Sequence, residues 1–160
     1  MTVRAIFATD DTWGIGKNGT LPWPRNKADL RWFRSCTENA VVMMGRRTWQ
    51  DPALPKPLPN RYNVVVSDKG IDKFDTRPNI VIKRAQVENY LKQFEKDVWI
   101  IGGAQLLQST LPHIQELWVS RIKGVFDCDT SIQLDWKQFR IYESHEYHDE
   151  RLYIDKYKRY

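Results

Sequence analysis

The sequence has few of the features that mark disulfide-rich, membrane-spanning or low-complexity proteins. Its 160 residues include two cysteines, Cys36 and Cys128, too few and too far apart for a disulfide framework or a CxxC metal or redox site. The longest unbroken apolar run, residues 40–44, is far shorter than the roughly 20 residues that a membrane-spanning helix needs. No positively charged start leads into an apolar stretch, so we expect no secretory signal, no membrane partner and a cytoplasmic location.

The composition of the chain is typical of a globular protein with an excess of basic residues. It is 41% hydrophobic and 12% aromatic, which excludes an intrinsically disordered chain. Its formal net charge of +5 favours anionic partners, and charge alone leaves nucleic acid, a membrane surface and small phosphate or carboxylate ligands open. The length predicts one domain, residues 1–160, with room for a cleft.

Short apolar segments alternate with amphipathic ones along the chain. Residues 40–44 are apolar throughout, as in a buried strand, whereas Val87, Tyr90, Leu91 and Phe94 follow helical spacing. We predict strands at 2–9, 40–44, 62–67, 79–83, 97–101 and 116–122, helices at 26–37, 46–50, 86–95 and 104–110, a long loop at 10–24, and a terminal hairpin at 139–148 and 151–158.

Wholly apolar strands separated by helices are typical of a largely parallel sheet that is covered on both faces. We therefore predict the α/β class: a single-domain, mixed, mostly parallel central sheet of about eight strands, with a C-terminal antiparallel hairpin and about four flanking helices. In such sheets ligands bind beyond the carboxyl ends of the strands, here in a cleft between two lobes.

The segment 14–19 matches the glycine pattern GxGxxG. A Rossmann fingerprint requires a helix to open at this point, and Pro22 and Pro24 forbid one. A flexible glycine loop is therefore the better interpretation, and a mobile loop beside a cleft can act as a lid.

Two further motifs place glycine between a buried strand and a helix. In each of them the exposed main chain and the helix start can hold an anion, and an arginine after the first can bind the 2′-phosphate that distinguishes NADP from NAD. Each turn also has an ordinary structural explanation, but two in one sheet, with Ser67 after a third strand, favour a phosphate-bearing cofactor. The residues concerned are Gly45, Arg46, Arg47, Thr48, Gly102 and Gly103.

Asp29 is the candidate proton donor. It shares a helical face with Leu30 and Phe33, and apolar neighbours raise the pKa of a carboxyl group. The alternative is a first-turn aspartate that complements the helix dipole. Arg61, at the start of a predicted strand, can pair with a ligand carboxylate or lie solvated on the surface.

The late histidines and the basic tail are better explained without a ligand. His145 and His148 are three apart on a predicted strand and so point to opposite faces, which makes a shared metal improbable; we expect no metal site. The tyrosine-interleaved tail at 151–160 can stack nucleic-acid bases, but an alternating edge strand explains it more simply.

Taken together, four blocks resemble the dihydrofolate reductase family, occur in the family's order and cover most of the chain. The first is the segment 14–23 followed by Asp29, Leu30 and Phe33. The others are 42–49, 57–61 leading to Ser67, and 100–103 followed by Leu111–Pro112.

The resemblance implies transfer of a hydride from NADPH to C6 of 7,8-dihydrofolate, giving tetrahydrofolate. Asp29 is then the acid that holds the pterin and promotes protonation at N5, through water near Trp23, and Ser120 bonds to its carboxylate. The implied substrate-binding residues are Ile6, Ala8, Asp29, Leu30, Phe33, Leu58, Arg61, Ile101 and Ser120. The implied cofactor-binding residues are Ala8, Ile15, Gly45, Arg46, Arg47, Thr48, Ser67, Gly102, Gly103, Ala104, Gln105 and Leu106.

Some positions depart from the family pattern, and other functions stay open. Leu107 stands where many members have an aromatic residue against the cofactor, and the charge of Asp68 would oppose a 2′-phosphate. The alternatives are a pyrimidine reductase of riboflavin biosynthesis on the same fold, or a basic nucleic-acid-binding or structural module. We expect dihydrofolate as the partner, no nucleic acid, and a monomer.

Overall fold

A computed structural model describes residues 2–72 and 75–160 of the chain. The strands are β1 (Val3–Thr9), β2 (Gly14–Gly16), β3 (Val41–Gly45), β4 (Tyr62–Val66), β5 (Ile80–Ile82), β6 (Val98–Gly102), β7 (Glu116–Ile122), β8 (Thr130–Ser131), β9 (Phe139–Tyr147) and β10 (Leu152–Arg159). The α-helices are α1 (Lys27–Thr37), α2 (Arg46–Gln50), α3 (Val87–Gln93) and α4 (Ala104–Thr110). Short 3₁₀ turns lie at Arg84–Gln86, Leu111–His113, Trp136–Gln138 and His148–Glu150.

Eight strands form one sheet in the order β5-β4-β3-β6-β1-β7-β10-β9. The pairs from β5 to β7 are parallel, whereas β10 is antiparallel to both β7 and β9. Since β1, β3 and β6 are adjacent and parallel, their carboxyl ends lie at one edge of the sheet. The predicted α/β sheet with a C-terminal antiparallel hairpin is confirmed.

The central strands are buried on both faces of the sheet, and side chains alternate between the two faces along each strand. On β1, Ala5 and Phe7 belong to the cluster that packs with α3 and α4, while Ile6 belongs to the opposite cluster, which packs with α1 and α2. This alternation gives the central strands their unbroken apolar sequences. It also means that β1 delivers even-numbered residues to the face covered by α1.

The structure differs from the sequence prediction in three local respects. The predicted loop 10–24 contains the strand β2, which pairs with β8 in a small second sheet. The third helix is shorter than the predicted 86–95 and follows a 3₁₀ turn. The tail was predicted as the edge strand, and this was wrong: β10 lies between β7 and β9, so β9 forms the edge. Hydropathy alternates on both strands of a hairpin, so the pattern could not tell them apart.

Candidate active site

The start of α1 places the predicted acid. Asn26 caps the helix, and its Oδ1 accepts a hydrogen bond from the backbone N–H of Asp29 at 3.0 Å. The Asn26 Nδ2 donates to the carbonyl of Glu150 at 2.8 Å, which ties the helix start to the turn between β9 and β10. These two hydrogen bonds therefore fix the position of Asp29 relative to the sheet.

Asp29 reaches β7, where Ser120 donates a hydrogen bond to its carboxylate. Ser120 is 1% exposed and lies opposite Ala8 of β1 in the parallel register, so it has Asp29 on one side and the neighbouring strand on the other. Burial raises the pKa of Asp29 above its ordinary value, and the Ser120 hydrogen bond opposes this in part. Asp29 also lies in the first turn of α1, where its charge complements the helix dipole.

The apolar wall next to this point is built around Trp23, which is 6% exposed. It packs in a cluster with Ile154 and with the partly buried Ala8 and Ala28, and its ring lies 6.3 Å from that of Phe126. Leu30, in contrast, is 39% exposed. One residue along a helix turns the side chain by about 100°, so Leu30 points more toward solvent than the core-facing side of α1 does.

A second apolar group lies on the same face of the sheet. Ile6 and Leu58 are buried in the cluster that packs with α1 and α2, and Phe33 and Ile101 are partly buried against it. Most of the predicted substrate-binding residues are therefore brought to one face. Leu30 lies outside this cluster, with an exposed side chain that is accessible to a ligand.

Arg61 is oriented by the end of α1. Its Nη1 donates to Oγ1 of Thr37 at 3.0 Å, its Nε donates to the carbonyl of Pro59 at 2.9 Å, and its guanidinium lies 5.9 Å from the centre of the Phe33 ring. Burial and the neighbouring Arg34 both lower its pKa. Arg61 is therefore a partly buried cation with a second cation beside it, a setting that suits an anionic ligand group.

The two predicted glycine turns lie side by side at the carboxyl edge of the sheet. A Cβ atom built on Gly45 would lie 3.6 Å from the backbone N of Gly103, and one built on Gly102 would lie 3.7 Å from Oγ1 of Thr48. The register of β6 against β3 shifts after Met43, which inserts Ile101 as an extra residue before the turn. Main chain from two strands thus comes together at one place where the glycines carry no side chains, and Arg46 and Arg47 are exposed beside it.

The other predicted cofactor contacts lie at different depths. Ser67 follows β4 and donates to the carbonyl of Gly70 at 2.7 Å, and Ile15 is partly buried against the core. Ala104 is half-buried and Gln105 exposed at the start of α4. Leu106 and Leu107 are 5% and 0% exposed within the hydrophobic core, which leaves their side chains little surface for a ligand.

The other candidate motifs have structural roles. Residues 14–16 form β2, so no helix opens at the GxGxxG segment. His145 and His148 each lie beside a different glutamate, with nitrogen–oxygen distances of 3.4 Å to Glu143 and 3.1 Å to Glu146. Over residues 2–72 and 75–160, no cluster of histidine, cysteine and acidic side chains could hold a metal, and no helix is long and apolar enough to span a membrane.

Sequence reasoning missed two buried polar residues close to these groups. Thr37 is fully buried and accepts the Arg61 hydrogen bond, and Asp10 is 1% exposed at the end of β1. Adjacent aspartates at 10 and 11 after an apolar strand were a signal, but periodicity does not reveal which of the two turns inward.

Comparisons with known proteins agree on one family. The family model described as dihydrofolate reductase matches residues 2–159. The dihydrofolate reductase of Haemophilus influenzae is 33% identical over 147 residues, covering 88% of this chain and 85% of that protein, and the one from Enterococcus faecium is 30% identical over 143 residues, covering 89% and 84%. A solved structure of dihydrofolate reductase from Enterococcus faecalis, complexed with NADP(H) and RAB-propyl, matches with a TM-score of 0.88 at 26% identity and covers 99% of this chain and 96% of that one.

Proposed function

The chain belongs to the dihydrofolate reductase family, and from this we propose that Asp29, with Ser120 and Trp23 beside it, provides the proton for the reaction. The protein is an NADPH-dependent oxidoreductase that reduces 7,8-dihydrofolate to 5,6,7,8-tetrahydrofolate, the carrier used in one-carbon and thymidylate synthesis. The pyrimidine reductase and nucleic-acid-binding alternatives are not favoured by these comparisons.

The observation that carries the proposal for Asp29 is its setting. A carboxyl group whose pKa is raised by burial keeps a larger protonated fraction at neutral pH than an exposed one. The Ser120 hydroxyl bonds to this group from β7, where Ser120 lies opposite Ala8 of β1. Asp29 then holds the pterin ring and raises the protonation of N5, while Trp23 and its apolar neighbours exclude bulk water.

The turns at Gly45 and Gly102–Gly103 fit a phosphate-bearing cofactor, since no side chain stands between them and Thr48 lies within 4 Å of a Cβ on either glycine of the pair. NADPH supplies the hydride that C6 of the substrate receives. We infer that the exposed Arg46 binds the 2′-phosphate and that the main chain of both turns binds the remaining phosphates. The other proposed contacts are Ala8, Ile15, Arg47, Thr48, Ser67, Ala104 and Gln105, and Leu106 through its main chain, because its side chain is buried in the core.

The substrate's apolar and anionic ends call for different residues. We infer that Ile6, Phe33 and Leu58 contact its rings, with Leu30 and Ile101 at the margins, because these side chains share one face of the sheet. Arg61 binds the α-carboxylate of the glutamyl tail. Its contacts to Thr37 and Phe33 hold the guanidinium in place before a ligand arrives.

We further infer that residues 1–160 act as one domain, since the family match runs from residue 2 to residue 159. A monomer in the cytoplasm stays a prediction. Light scattering of the purified protein gives its mass directly, and the mass of a dimer would contradict the prediction of a monomer.

The direct test follows NADPH by its near-ultraviolet absorbance with and without 7,8-dihydrofolate. We expect oxidation that depends on the substrate and that is much slower with NADH. Oxidation at the same rate without dihydrofolate, or none with it, would contradict the proposed function. A fluorescence titration with NADPH alone separates a failure to bind the cofactor from a failure of the chemistry.

A further inference from the structure

Asp10 is a buried carboxylate that the proposed chemistry does not use. Its Oδ1 accepts three hydrogen bonds: from the backbone N–H of Thr12 at 2.8 Å, from Oγ1 of Thr12 at 2.9 Å and from the backbone N–H of Gly14 at 2.9 Å. Its Oδ2 accepts the backbone N–H of Phe126 at 3.2 Å and the thiol of Cys128 at 3.4 Å. One oxygen therefore serves the loop after β1, and the other serves the loop after β7.

The two loops, residues 11–20 and 123–131, also meet through contacts that do not involve Asp10: Asp11 N–H donates to the carbonyl of Gly124 at 3.0 Å, and Asp129 N–H donates to the carbonyl of Gly16 at 3.0 Å. Gly124 N–H donates to Oδ2 of Asp11 at 2.9 Å, Asn18 N–H donates to Oδ2 of Asp129 at 2.8 Å, and β2 pairs with β8. Asp10 lies at the base of this arrangement. A Cβ atom on Gly14 would lie 2.3 Å from Sγ of Cys128, so the loops fit closely around the carboxylate.

Both loops carry groups that border the proposed active site. Ile15 lies on the first loop, one residue beyond the Gly14 N–H that Asp10 holds. Phe126 lies on the second loop, and its ring packs edge-on against Trp23. A shift of either loop therefore moves a wall of the site.

We propose that Asp10 is a positioning residue, whose two oxygens hold these loops in one arrangement and thereby place Ile15 and Trp23 against the reacting groups. This inference rests on the proposed function. Asp10 touches none of the proposed substrate contacts; it acts through the backbone of the loops. Ionised carboxylate suits the role because all five bonds require an acceptor.

The charge state of Asp10 agrees with this geometry. Burial by itself would raise the pKa of a carboxyl group, but the hydrogen bonds from Gly14, Thr12 and Phe126 lower the pKa of Asp10 below its ordinary value. The thiol of Cys128 remains a donor, since burial and the neighbouring Asp10 raise its pKa to about 11.

Asp10→Asn is the first test, because it keeps the size of the side chain and replaces one acceptor with a donor. That NH₂ group must then face the N–H groups of one loop. We expect the single-turnover rate of hydride transfer to fall by about 10-fold or more, since small misplacements of reacting groups are costly, while the KM for dihydrofolate changes by less than about 3-fold. Asp127→Asn is the matched control: it lies in the same loop, is exposed, and has a positive φ that asparagine tolerates.

Amide hydrogen exchange provides a readout that needs no activity. In Asp10→Asn, exchange should speed up at residues 12–16 and 124–128 and stay unchanged in β3, β4 and β6. A purely structural role would instead speed exchange throughout the sheet and lower the urea midpoint without separating kcat from KM.

Two further variants keep the proposal testable if Asp10→Asn does not fold. Thr12→Val and Cys128→Ala each remove one hydrogen-bond donor and leave the carboxylate. Each should lower the rate of hydride transfer by about 2- to 5-fold and leave the KM for dihydrofolate nearly unchanged. Cys128→Ser keeps a donor and should restore the rate of the wild-type protein.

The proposal is overturned if loop exchange accelerates while the hydride rate stays at the wild-type value, or if the rate falls while loop exchange is unchanged. It is also overturned if Cys128→Ser behaves like Cys128→Ala. Failure of the proposed function has a different signature, because the wild-type protein itself would then not oxidise NADPH with dihydrofolate.

Discussion

The two halves of the proposed site are built from different parts of the chain. Around Asp29 the working groups are side chains: a carboxyl group, the Ser120 hydroxyl and the Trp23 ring, brought together from α1, β7 and the segment before α1. At the cofactor turns the proposed binding surface is main chain, at the place where Gly45 and Gly102–Gly103 approach each other without side chains of their own.

This difference follows from what each half must recognise. Proton delivery needs one titratable group in a controlled environment, whereas phosphate binding needs several N–H donors and room to approach them. Around Asp29 we therefore expect loss of a functional group to lower activity most. At the cofactor turns we expect the addition of a methyl group to weaken binding most.

Asp29→Asn should have the largest effect. The amide cannot supply a proton, so activity at neutral pH should fall by about 100-fold or more and recover in part as pH falls, because a preprotonated substrate no longer needs the acid. Steady-state rates across the pH range measure this. Ser120→Ala provides a second test: the Ser120 hydrogen bond lowers the Asp29 pKa, so its removal should move the fall in activity on the high-pH side of the profile to a higher pH. Full activity of Asp29→Asn at neutral pH would contradict the assigned role.

The same acid should make the fold less stable as pH rises. The pKa of Asp29 is higher in the folded than in the unfolded state, so its favourable contribution is complete below the unfolded value of 3.8 and is lost as pH rises through the folded value. Urea unfolding of the wild-type protein and Asp29→Asn should therefore show the variant gaining relative stability toward neutral pH. A constant difference between the two would contradict the raised pKa.

Gly102→Ala tests the main-chain half. Gly102 has a φ of +129°, which alanine adopts only at a cost of about 1–3 kcal/mol, and the added methyl group lies 3.7 Å from Thr48 Oγ1, on the surface proposed to bind phosphate. We expect a lower urea midpoint and weaker NADPH binding. Gly19→Ala is the control, because it has a positive φ of 79° and no atom within 4 Å of the new Cβ. Equal losses of NADPH affinity in both variants would count against the cofactor turn.

Arg46→Ala should weaken NADPH by about 10-fold or more, the value of a charge-assisted hydrogen bond, and NADH far less. Paired fluorescence titrations with the two cofactors give the ratio. Arg140→Ala removes another exposed arginine, on β9, and controls for net charge. Equal losses for NADPH and NADH would move the 2′-phosphate contact elsewhere.

Thr37→Val should have the smallest effect, because it removes one of the contacts that orient Arg61. We expect the KM for dihydrofolate to rise by about 2- to 5-fold with kcat unchanged. Thr110→Val is the matched control: Thr110 is also buried in a helix, and its hydroxyl donates to the carbonyl four residues earlier, as that of Thr37 does. A rise in KM in both variants would point to helix stability rather than to Arg61.

Much of the fold was predictable because local rules and tertiary structure agree. The bounds of α2, α4 and β7 match their predicted ranges, and Asn26 caps the helix that was predicted to begin there. The strand β2 was missed because three residues rich in glycine carry no periodicity, and its partner β8 lies more than 100 residues away in the chain. The exposure of Leu30 was missed because apolar residues at helical spacing are not all turned fully toward the core: Phe33 packs against it, whereas Leu30 lies at the margin of that face.

The sequence by itself determined the order of strands and helices and the glycine turns, and it pointed to Asp29 as the proposed acid, because these depend on spacing and residue type within short segments. The tertiary structure decided which groups share a point in space: that Ser120 meets Asp29, that Gly45 lies against Gly103, and that Asp10 turns inward while Asp11 remains exposed. These contacts depend on strand order and register, and registers between strands distant in the chain are set by packing of the whole core rather than by any local pattern.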